Sequence, residues 1–415
     1  MPALTKAQKK QAQAAVESFN RTYAALYGEE RWYQSLYPAL AGPTRYAALV
    51  NHYTTATAGQ GNLDKVLTPE QKGKVQRIVF PAIPGPSDIS GSGSRGLEAY
   101  QWEDVSSSSP LSSLEPEIFP PPQPDPSSGL MTHWNLDAAS LLAVHVLDPK
   151  PGDKVLDLCA APGGKSVAIS QLLRPENYND SASPSLCGGC LHSNEVNNGR
   201  NKRLALNLQA YLPESLFAFN KDKNEDAQTT VGEEVKILKI DGAEQSLITL
   251  QKYLPLAFGG GGSGYDKVLL DAPCSSERHI IHAHLKNNHC DEMTSWRSTH
   301  SKKLAKTQAS LLMNALRAVK IGGRVLYATC SLSNEENDGV IEKARELVMK
   351  ERKKLGVRWD FVVVGDKGSG KGGEGGGGLE DWAEPSKYGW LVLPDHPSGG
   401  KWGPLFFALL EKVEV

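Results

Sequence analysis

From Leu130 onward, the spacing of apolar positions switches repeatedly between two patterns. Short segments that predict strands occur at "KVLDLCA", "CLHSNE", "EVKILKID", "YDKVLLDA" and "RVLYATC". Between them, helical spacing occurs at "DAASLLAVHVLD", "GGKSVAISQLL", "NNGRNKRLALNLQAY" and "KTQASLLMNALRAV", the last closed by a pair of glycines. This alternation predicts an α/β fold with a doubly wound, mainly parallel sheet. Right-handed crossovers then bring the carboxyl ends of the strands to one edge, where such sheets bind ligands.

The first part of the chain has a different pattern. Residues 6–53 carry apolar and aromatic side chains at helical spacing, such as Phe19 and Tyr23, so we expect a helical N-terminal region over residues 1–83. Residues 84–129 are rich in Pro, Ser and Gly and predict a linker or long loop, with one packed island at "LEAYQWE".

Residues 130–415 then form the large α/β domain. Polar or glycine-rich tracts near 175–190, 256–264 and 365–379 predict loop insertions in it. The stretch "GWLVLPDHPSGGKWGPLFFALLEKV" predicts a terminal hairpin.

Composition narrows the class of protein. A chain of 415 residues with 40% hydrophobic and 22% charged residues predicts a soluble globular protein with one large domain and a smaller appendage. The net charge of −2 means that any surface for nucleic acid must be local. We expect no membrane contact, because no apolar run is long enough to span a bilayer. Six cysteines in so long a chain favour free thiols in a reducing compartment.

The segment "VLDLCAAPGGKS" predicts a strand, a turn of small residues and a helix. Such a turn lets a ligand approach the backbone, with amide groups at the helix N-terminus directed at it. A phosphate-binding loop would need a glycine five positions before Gly164, where Cys159 stands, so binding of a nucleoside triphosphate is disfavoured.

Acidic residues come at the ends of the next predicted strands. They are Glu195, Asp241 and Asp271. In dinucleotide-type sites an acid about 20 residues after the glycine turn holds ribose hydroxyls, and the insertion before Glu195 explains its larger spacing. Each acid alone could simply cap a following helix. Together with the turn, they suit a ligand with ribose hydroxyls, an adenine amine and a cationic end, as in S-adenosylmethionine.

Cysteines occur at two strand ends. "KVLLDAPCSSERH" places Cys274 just after Asp271, and "YATCSLSNEEND" places Cys330 at the end of another strand. Both thiols are therefore expected at the edge of the sheet that binds ligands. This placement is either a coincidence or an active site.

Three segments carry a family resemblance. "LDAASLLAVHVLDPKPGDKVLDLCAAPGGKS", "DAPCSSERH" and "ATCSLSNEEN" resemble the Nop/Sun RNA (cytosine-5)-methyltransferases over roughly residues 130–345 and the C-terminal strands. "RTYAALYGEERW" and "LVLPDHPSGGKWGPLFFALLEK" are most similar to the subgroup that acts on mitochondrial ribosomal or transfer RNA. The subgroup usually has aspartate at the position of Glu195, and glutamate keeps both acceptor oxygens. The resemblance implies a Rossmann-like class I methyltransferase, S-adenosylmethionine as cofactor, and rRNA or tRNA as substrate.

The resemblance also implies roles for individual residues. Cys330 would be the nucleophile, and Cys274 would help to release the product. Asp271 is placed to hydrogen-bond the ring nitrogen and amine edge of the cytosine. The implied methyl-donor site is Cys159, Ala160, Ala161, Pro162, Gly163, Gly164, Lys165, Glu195, Arg200, Asp241, Gly242 and Asp271.

Candidate RNA contacts are less distinctive. The basic stretches "NNGRNKR", "SKKLAK" and "KERKK" are more commonly solvated helix faces, whereas Arg278 and His279 lie beside the reactive edge. The helical N-terminal region is a further candidate. Cys187 and Cys190 form half of a zinc motif without a second pair, so no metal site is expected.

Several alternatives stay open from the sequence. A non-catalytic RNA-binding ribosome-assembly factor would be expected to lose a reactive residue such as Cys330. A DNA cytosine methyltransferase would use Cys274 as nucleophile and would leave Cys330 unexplained. A protein partner for substrate delivery is compatible with the chain. The N-terminus, with several lysines and no acid before Glu17, suits a mitochondrial presequence, with nuclear, nucleolar or cytoplasmic location as alternatives.

Overall fold

The structure is a computed structural model of the chain. It describes residues 6–54, 61–81, 96–103, 119–174, 186, 188–217, 234–244, 246–254, 264–286, 291–365, 378–398 and 400–415. Most of the three predicted loop insertions and of the predicted linker lies outside these residues. The proposed domain boundaries stay a prediction.

The helices of the described part are α1 Lys6–Tyr27, α2 Glu29–Arg31, α3 Tyr37–Ala41, α4 Gly61–Asp64, α5 Pro69–Lys72, α6 Ala138–Leu147, α7 Gly164–Leu173, α8 Asn198–Tyr211, α9 Leu247–Tyr253, α10 Glu277–Lys286, α11 Asp291–Thr294, α12 Thr299–Ala318 and α13 Asp338–Leu355. A π-helical turn, Trp32–Leu36, joins α2 to α3. Short 3-10 turns are present at Glu214–Leu216 and Leu379–Asp381.

The strands of the described part are β1 Tyr46–Val50, β2 Val75–Arg77, β3 Ala99–Trp102, β4 His133–Asp137, β5 Lys154–Asp157, β6 Cys190–Asn194, β7 Val235–Leu238, β8 Tyr265–Asp271, β9 Val319–Thr329, β10 Trp359–Val363, β11 Glu384–Pro385, β12 Trp390–Val392 and β13 Leu405–Glu414.

Within the described ranges, the larger sheet has nine strands in the order β11-β12-β13-β9-β8-β5-β6-β7, with β10 beside β13. Strands β5 to β9 are parallel to their neighbours, whereas β13 pairs antiparallel with β9. The predicted doubly wound α/β fold is therefore confirmed. The predicted terminal hairpin is confirmed as well, because β12 pairs antiparallel with β13.

The glycine pair that was predicted to close α12 lies elsewhere. Helix α12 ends at Ala318, and β9 begins at the next residue and continues through both glycines. Gly322 has a φ of 75°, a conformation that glycine adopts without strain. The register of β9 against β8 shifts at this point, so the glycines form a bulge inside the strand.

A second, antiparallel sheet has the order β2-β3-β1-β4. The helix prediction for residues 6–53 was wrong at β1, which pairs with β3 and β4 and is buried over its last four residues. A short apolar run such as "YAALV" fits a buried helix or a buried strand equally well, and its partners decide. The packed island predicted at "LEAYQWE" is confirmed, since it forms the buried strand β3.

The N-terminal helices pack against the part of the large domain that carries α10. Phe19, Tyr23 and Trp32 are fully buried in an aromatic cluster with Trp296, and Ile281 of α10 belongs to the same core. This packing brings α1 close to the carboxyl edge of the parallel strands, where the candidate site lies.

Candidate functional site

The glycine turn connects β5 to α7 at the carboxyl edge of the sheet. Gly163 precedes the helix with a φ of 118°, which favours glycine. A Cβ atom on Gly164 would lie 2.8 Å from Nε1 of Trp134, so only glycine fits there without a displacement of the indole. The turn thus packs closely against Trp134 at the N-terminus of a ten-residue helix, a position where backbone amide groups can bind a ligand.

A cleft of about 250 Å³ opens above the turn, between it and strand β4 of the smaller sheet. Of the predicted donor-site residues, it is lined by Cys159, Ala160, Ala161, Pro162, Gly164, Lys165 and Asp271. Tyr46, Trp134, Asn135, Leu136, Asp137, Ser140 and Asp157, which were not predicted, complete the lining. The structure therefore brings the turn and one of the strand-end acids into one site.

Asp157, the last residue of β5, is a functional candidate that the sequence analysis missed. Its side chain is buried, and Oδ2 accepts a hydrogen bond of 2.7 Å from Ser166. Among the described residues, Oδ1 has no hydrogen-bond partner of good geometry. Burial raises the pKa of Asp157 to about 7, against the opposing effect of Ser166. A buried acceptor of this kind in a cleft is suited to a cationic group of a ligand.

Lys165 and Asp271 form an ion pair at the same cleft. Nζ of Lys165 donates a hydrogen bond of 2.7 Å to Oδ2 of Asp271, whose side chain is 32% exposed. Burial acts to lower the pKa of Lys165, but the charge and hydrogen bond of Asp271 outweigh it, and the pKa is raised. Lys165 is therefore charged, and Asp271 keeps its second oxygen available to a substrate.

Arg200 connects Glu195 to the glycine turn. Arg200 pairs with Oε2 of Glu195 at 3.3 Å and donates a hydrogen bond of 2.9 Å to the carbonyl oxygen of Ala161. The other oxygen of Glu195 accepts a hydrogen bond from the backbone N–H of Asn197. The neighbouring Asn194 side chain donates to the carbonyl oxygens of Leu158 and Ile240, so it ties the ends of β5 and β7 together.

Asp241 and Gly242 lie farther along this edge, and the structure does not place them in the cleft of the glycine turn. Asp241 lines a second cleft of about 290 Å³ with Lys239, Ile240, Glu244, Thr249 and Leu250. Gly242 is buried, and a Cβ atom there would lie 2.9 Å from Leu311. Gly242 thus allows α12 to pack closely beneath the loop.

The two strand-end cysteines are in contact. The Sγ atoms of Cys274 and Cys330 are 3.0 Å apart. Ser276, a second residue that the sequence analysis missed, has its Oγ 3.0 Å from Sγ of Cys330 and 3.4 Å from Sγ of Cys274. Its φ of 54° is unusual for serine and turns the hydroxyl group towards the thiols.

The two thiols have opposite pKa shifts. The hydrogen bond from Cys274 lowers the pKa of Cys330, and Ser276 adds to this effect against the influence of burial. The same hydrogen bond, together with burial, raises the pKa of Cys274. The pair therefore favours a thiolate at Cys330 and a proton on Cys274. Cys159 is different, because burial raises its pKa and no thiolate is favoured there.

One of the predicted RNA contacts was wrong. Arg278 is buried, and its guanidinium donates hydrogen bonds to the carbonyl oxygens of Gly403, Gly42 and Pro43, so it cannot contact a phosphate group. A charged residue with backbone partners inside the fold cannot be recognised from a local charge pattern. His279, the next residue, is exposed. Lys302, Lys303 and Lys306 of "SKKLAK" are exposed as well.

The described ranges carry neither a metal-binding cluster nor a membrane-spanning helix. They contain no group of three or more His, Cys, Asp or Glu side chains that could hold a metal ion. Cys187 of the C-x₂-C pair lies outside the described residues, and Cys190 is buried in β6. None of the described helices is long and apolar enough to cross a membrane.

A doubly wound sheet with a glycine turn after β5 and acids after the following parallel strands is a Rossmann-like fold, the fold class that class I methyltransferases share. The crystal structure of NSun6 from Pyrococcus horikoshii with SFG shares this fold, with a TM-score of 0.54 over 95% of this chain and 98% of that one, at 17% identity. A methyltransferase homolog from the same organism matches with a TM-score of 0.52 over 98% of this chain and 99% of that one, at 20% identity.

Sequence comparison narrows the class to a family. Residues 144–358 match the family described as 16S rRNA methyltransferase RsmB/F. The chain is 30% identical to the 5-cytosine rRNA methyltransferase NSUN4 of Bos taurus over 347 residues, which cover 80% of this chain and 74% of that protein. It is 28% identical to the mitochondrial tRNA (cytosine(34)-C(5))-methyltransferase of Danio rerio, over 99% of this chain and 90% of that one. The chain belongs to this family, the Nop/Sun RNA (cytosine-5)-methyltransferases.

Proposed function

We propose that the protein transfers a methyl group from S-adenosylmethionine to carbon 5 of a cytosine in rRNA or tRNA, through a covalent adduct at Cys330. The contact between Cys274 and Cys330 at 3.0 Å carries the proposal. One thiol can then form the bond to the base while the other handles a proton. The glycine-turn cleft, which reaches Asp271 in the same segment as Cys274, supports a methyl donor nearby.

The residues of the cleft fit this methyl donor. The amide groups at the N-terminus of α7 suit its carboxylate, and the orphaned Oδ1 of Asp157 suits its ammonium group. Outside this cleft, farther along the same edge of the sheet, Glu195 would accept hydrogen bonds from the ribose hydroxyls, and Asp241 one from the adenine amine. S-adenosylmethionine would supply an electrophilic methyl group bonded to a sulfonium sulfur.

The thiols divide the chemistry on the base. The Cys330 thiolate forms a bond to carbon 6 of cytosine, and carbon 5 becomes nucleophilic. Carbon 5 then bonds the methyl group, and the electron pair of the broken methyl–sulfur bond stays on the sulfur of the donor. Once Cys330 has bonded to carbon, its negative charge no longer raises the pKa of Cys274, which can then lose its proton to water. The Cys274 thiolate takes the carbon-5 proton, the electron pair of that C–H bond re-forms the ring double bond, and Cys330 leaves as a thiolate.

Asp271 selects the base in this proposal. The oxygen that does not accept from Lys165 would face the ring nitrogen and amine edge of the cytosine. A site that satisfies a hydrogen-bonding edge discriminates strongly against a base with the opposite donor pattern, such as uracil. The target base must also be unstacked, because carbon 6 of a base inside a helical stack is out of reach of a thiol.

The relatives guide the substrate and location. NSUN4 of Bos taurus is named as an rRNA methyltransferase, and the relative from Danio rerio as a mitochondrial tRNA methyltransferase. We therefore propose a mitochondrial rRNA or tRNA as substrate. A protein partner could deliver that RNA. The resemblance to catalytic relatives disfavours a purely structural assembly factor.

An adduct trap tests the proposal. Wild type, Cys274→Ala and Cys330→Ala are incubated with S-adenosylmethionine and mitochondrial RNA, and the products are separated on denaturing gels. We expect only Cys274→Ala to retain RNA covalently, and only with the methyl donor present. Sequencing of the trapped RNA would identify the substrate, and the same trap repeated with cell extract would reveal a need for a partner.

The other outcomes are also decisive. Retention of RNA by Cys330→Ala alone would reverse the two roles. If neither variant retains RNA and wild type transfers no methyl group to any RNA in the mixture, the proposal fails in favour of the assembly-factor function.

A further inference from the structure

The loops that carry the two cysteines are joined directly behind the thiols. Each cysteine is followed by a serine, and the hydroxyl oxygens of Ser275 and Ser331 are 2.9 Å apart. The separation of the two sulfurs therefore depends on how these two loops are held against each other.

Glu277 links both loops through one buried carboxylate. Its side chain is fully buried. Oε1 accepts a hydrogen bond from the hydroxyl of Ser275, and Oε2 accepts one of 2.9 Å from the backbone N–H of Leu332. Ser275 follows Cys274 and Leu332 lies two residues after Cys330, so a single side chain spans the two cysteine loops.

Glu336 provides a second link. It too is fully buried. Oε2 accepts a hydrogen bond of 3.0 Å from the backbone N–H of Ser275 and one of 2.9 Å from Gln308 of α12. Oε1 accepts one of 3.2 Å from the hydroxyl of Ser331. Two carboxylates thus hold the same pair of loops from different directions.

The N-terminal helix α1 completes the arrangement. The hydroxyl of Tyr23, a buried residue, donates a hydrogen bond of 2.6 Å to Oε1 of Glu277. One helical turn later, Tyr27 donates a hydrogen bond of 2.8 Å to the carbonyl oxygen of Leu332. Helix α1 therefore acts on the N–H of Leu332 through Glu277 and on its carbonyl directly.

We infer that Tyr23 and Glu277 are positioning residues for the two reactive thiols, so that α1 forms part of the active site. Neither side chain touches a reacting atom. They act by fixing the loops of Cys274 and Cys330 so that the sulfur atoms stay in contact. The inference rests on the proposed function for the roles of the thiols, and it assigns α1 a role other than RNA binding.

The electrostatics of the cluster agree with this geometry. Burial raises the pKa of Glu277 against the effect of its hydrogen-bond donors, and burial together with Glu277 raises the pKa of Tyr23. Without the Tyr23 hydroxyl, Oε1 of Glu277 keeps the hydrogen bond from Ser275 but loses its other donor, so the buried carboxylate holds the two loops less firmly. Loss of the Tyr23 hydroxyl should thus weaken the contact between the two thiols without leaving a cavity in the aromatic core.

The test compares Tyr23→Phe with Tyr37→Phe. Tyr37 lies in the same aromatic cluster, 5.5 Å from Trp32 between ring centroids, and its hydroxyl has no hydrogen bond within the described residues. Two rates are measured. One is adduct formation with RNA and S-adenosylmethionine in the Cys274→Ala background. The other is diamide-driven disulfide formation between Cys274 and Cys330 in otherwise unchanged protein, a readout that needs no RNA.

We expect Tyr23→Phe to slow both rates about tenfold, with Tyr37→Phe unchanged and the affinity for S-adenosylmethionine unchanged in both. A Tyr23→Phe protein whose two rates equal those of Tyr37→Phe would overturn the inference. So would a parallel loss of donor affinity, which would indicate general damage to the fold. If Tyr23→Phe unfolds at the assay temperature, Glu277→Gln is put through the same comparison and decides the question.

The two readouts separate this inference from the proposed function. If the parent Cys274→Ala forms no adduct, the proposed function fails, while the disulfide rate still tests the positioning role. If the parent forms the adduct and Tyr23→Phe leaves both rates unchanged, the positioning role fails alone.

Discussion

The hydroxyl oxygen of Ser276 lies 3.0 Å from the Sγ atom of Cys330. Ser276 holds this position with a φ of 54°, a backbone conformation that costs a side-chain-bearing residue about 1 kcal/mol relative to glycine. Strain of this kind is concentrated at functional sites, where the surrounding structure imposes it. The hydroxyl can donate to Cys330 as a thiolate, and this relationship leads to the first prediction.

We expect Ser276→Ala to raise the pKa of Cys330, because a hydrogen-bond donor to the thiolate is lost. The pH dependence of iodoacetamide alkylation at Cys330, read by mass spectrometry, measures this pKa. Ser276→Gly should raise the pKa of Cys330 by a similar amount and also relieve the backbone strain. A similar pKa in the two variants would therefore show that the hydroxyl, and not the strained backbone, lowers the pKa. Ser333→Ala in the Cys330 loop serves as control, and a Ser276→Ala profile identical to it would contradict the prediction.

Mild oxidation should join the two thiols. With 3.0 Å between the sulfur atoms, only a small movement separates Cys274 and Cys330 from a disulfide, in which the sulfurs are about 2.05 Å apart. Diamide would take two electrons and two protons from the pair, and methyl transfer would stop until a thiol reductant restores it. Peptide mapping should show the cross-link in wild type and in Cys190→Ser. Its absence from wild type while both thiols remain reduced would count against the contact.

Binding of S-adenosylmethionine should weaken as the pH falls below 7. Asp157 has a pKa of about 7, raised by burial, so it is protonated at lower pH and no longer attracts the ammonium group. Calorimetry should show an affinity about tenfold lower at pH 6 than at pH 7.5. Asp157→Asn should bind weakly with a flat profile over this range. Asp241→Asn should bind S-adenosylmethionine weakly but keep the dependence of affinity on pH. If Asp157→Asn also kept that dependence, Asp157 would not be the group that binds the ammonium.

The ion-pair cluster around Arg31 should make the docking of the N-terminal helices sensitive to acid. Arg31 contacts Glu384 and donates a hydrogen bond of 2.8 Å to Asp395, whose side chain is buried. Burial acts to raise the pKa of Asp395, but the hydrogen bonds from Arg31 and Ser35 outweigh it and lower the pKa. The stabilisation is therefore complete above the unfolded pKa of about 4 and is lost as the pH falls towards the lower folded value.

Arg31→Gln should lower the free energy of unfolding at pH 7 by about 1–3 kcal/mol, since a buried carboxylate loses a charged donor. Urea unfolding monitored by tryptophan fluorescence measures the change. Arg21→Gln, at an exposed position of α1, should have almost no effect. Equal midpoints for the two variants would show that the cluster contributes nothing.

The parallel sheet could be predicted from sequence because its strands are buried on both faces. Strand β8, for example, is buried at Val268, Leu269 and Leu270 and therefore appears in the sequence as an apolar run. Strand β1 is also an apolar run, but such a run fits a buried helix equally well, and its identity depends on pairing with β3 and β4, which come later in the chain. Hydrophobic periodicity therefore could not predict the strand order of the second sheet.

The candidate site likewise has parts that the sequence could predict and parts that it could not. The glycine turn and the strand-end acids are local patterns, and Asp157 could have been found as one more acid at a strand end. Tyr23 and Glu277 are 254 residues apart, and nothing near either residue indicates the other. The burial of Arg278 by three backbone carbonyl groups is likewise a property of the folded chain alone.

Strand β13 sets a time order for assembly during translation. It pairs with β9, the strand that leads into Cys330, along Arg324 to Thr329. While the ribosome is still synthesising residues before Leu405, β9 has an open edge with unpaired backbone groups, which is a risk for association with other chains. A nascent chain would thus carry both thiols long before the sheet beneath them is complete. We expect chains truncated before Leu405 to aggregate, because this edge of β9 stays open in them.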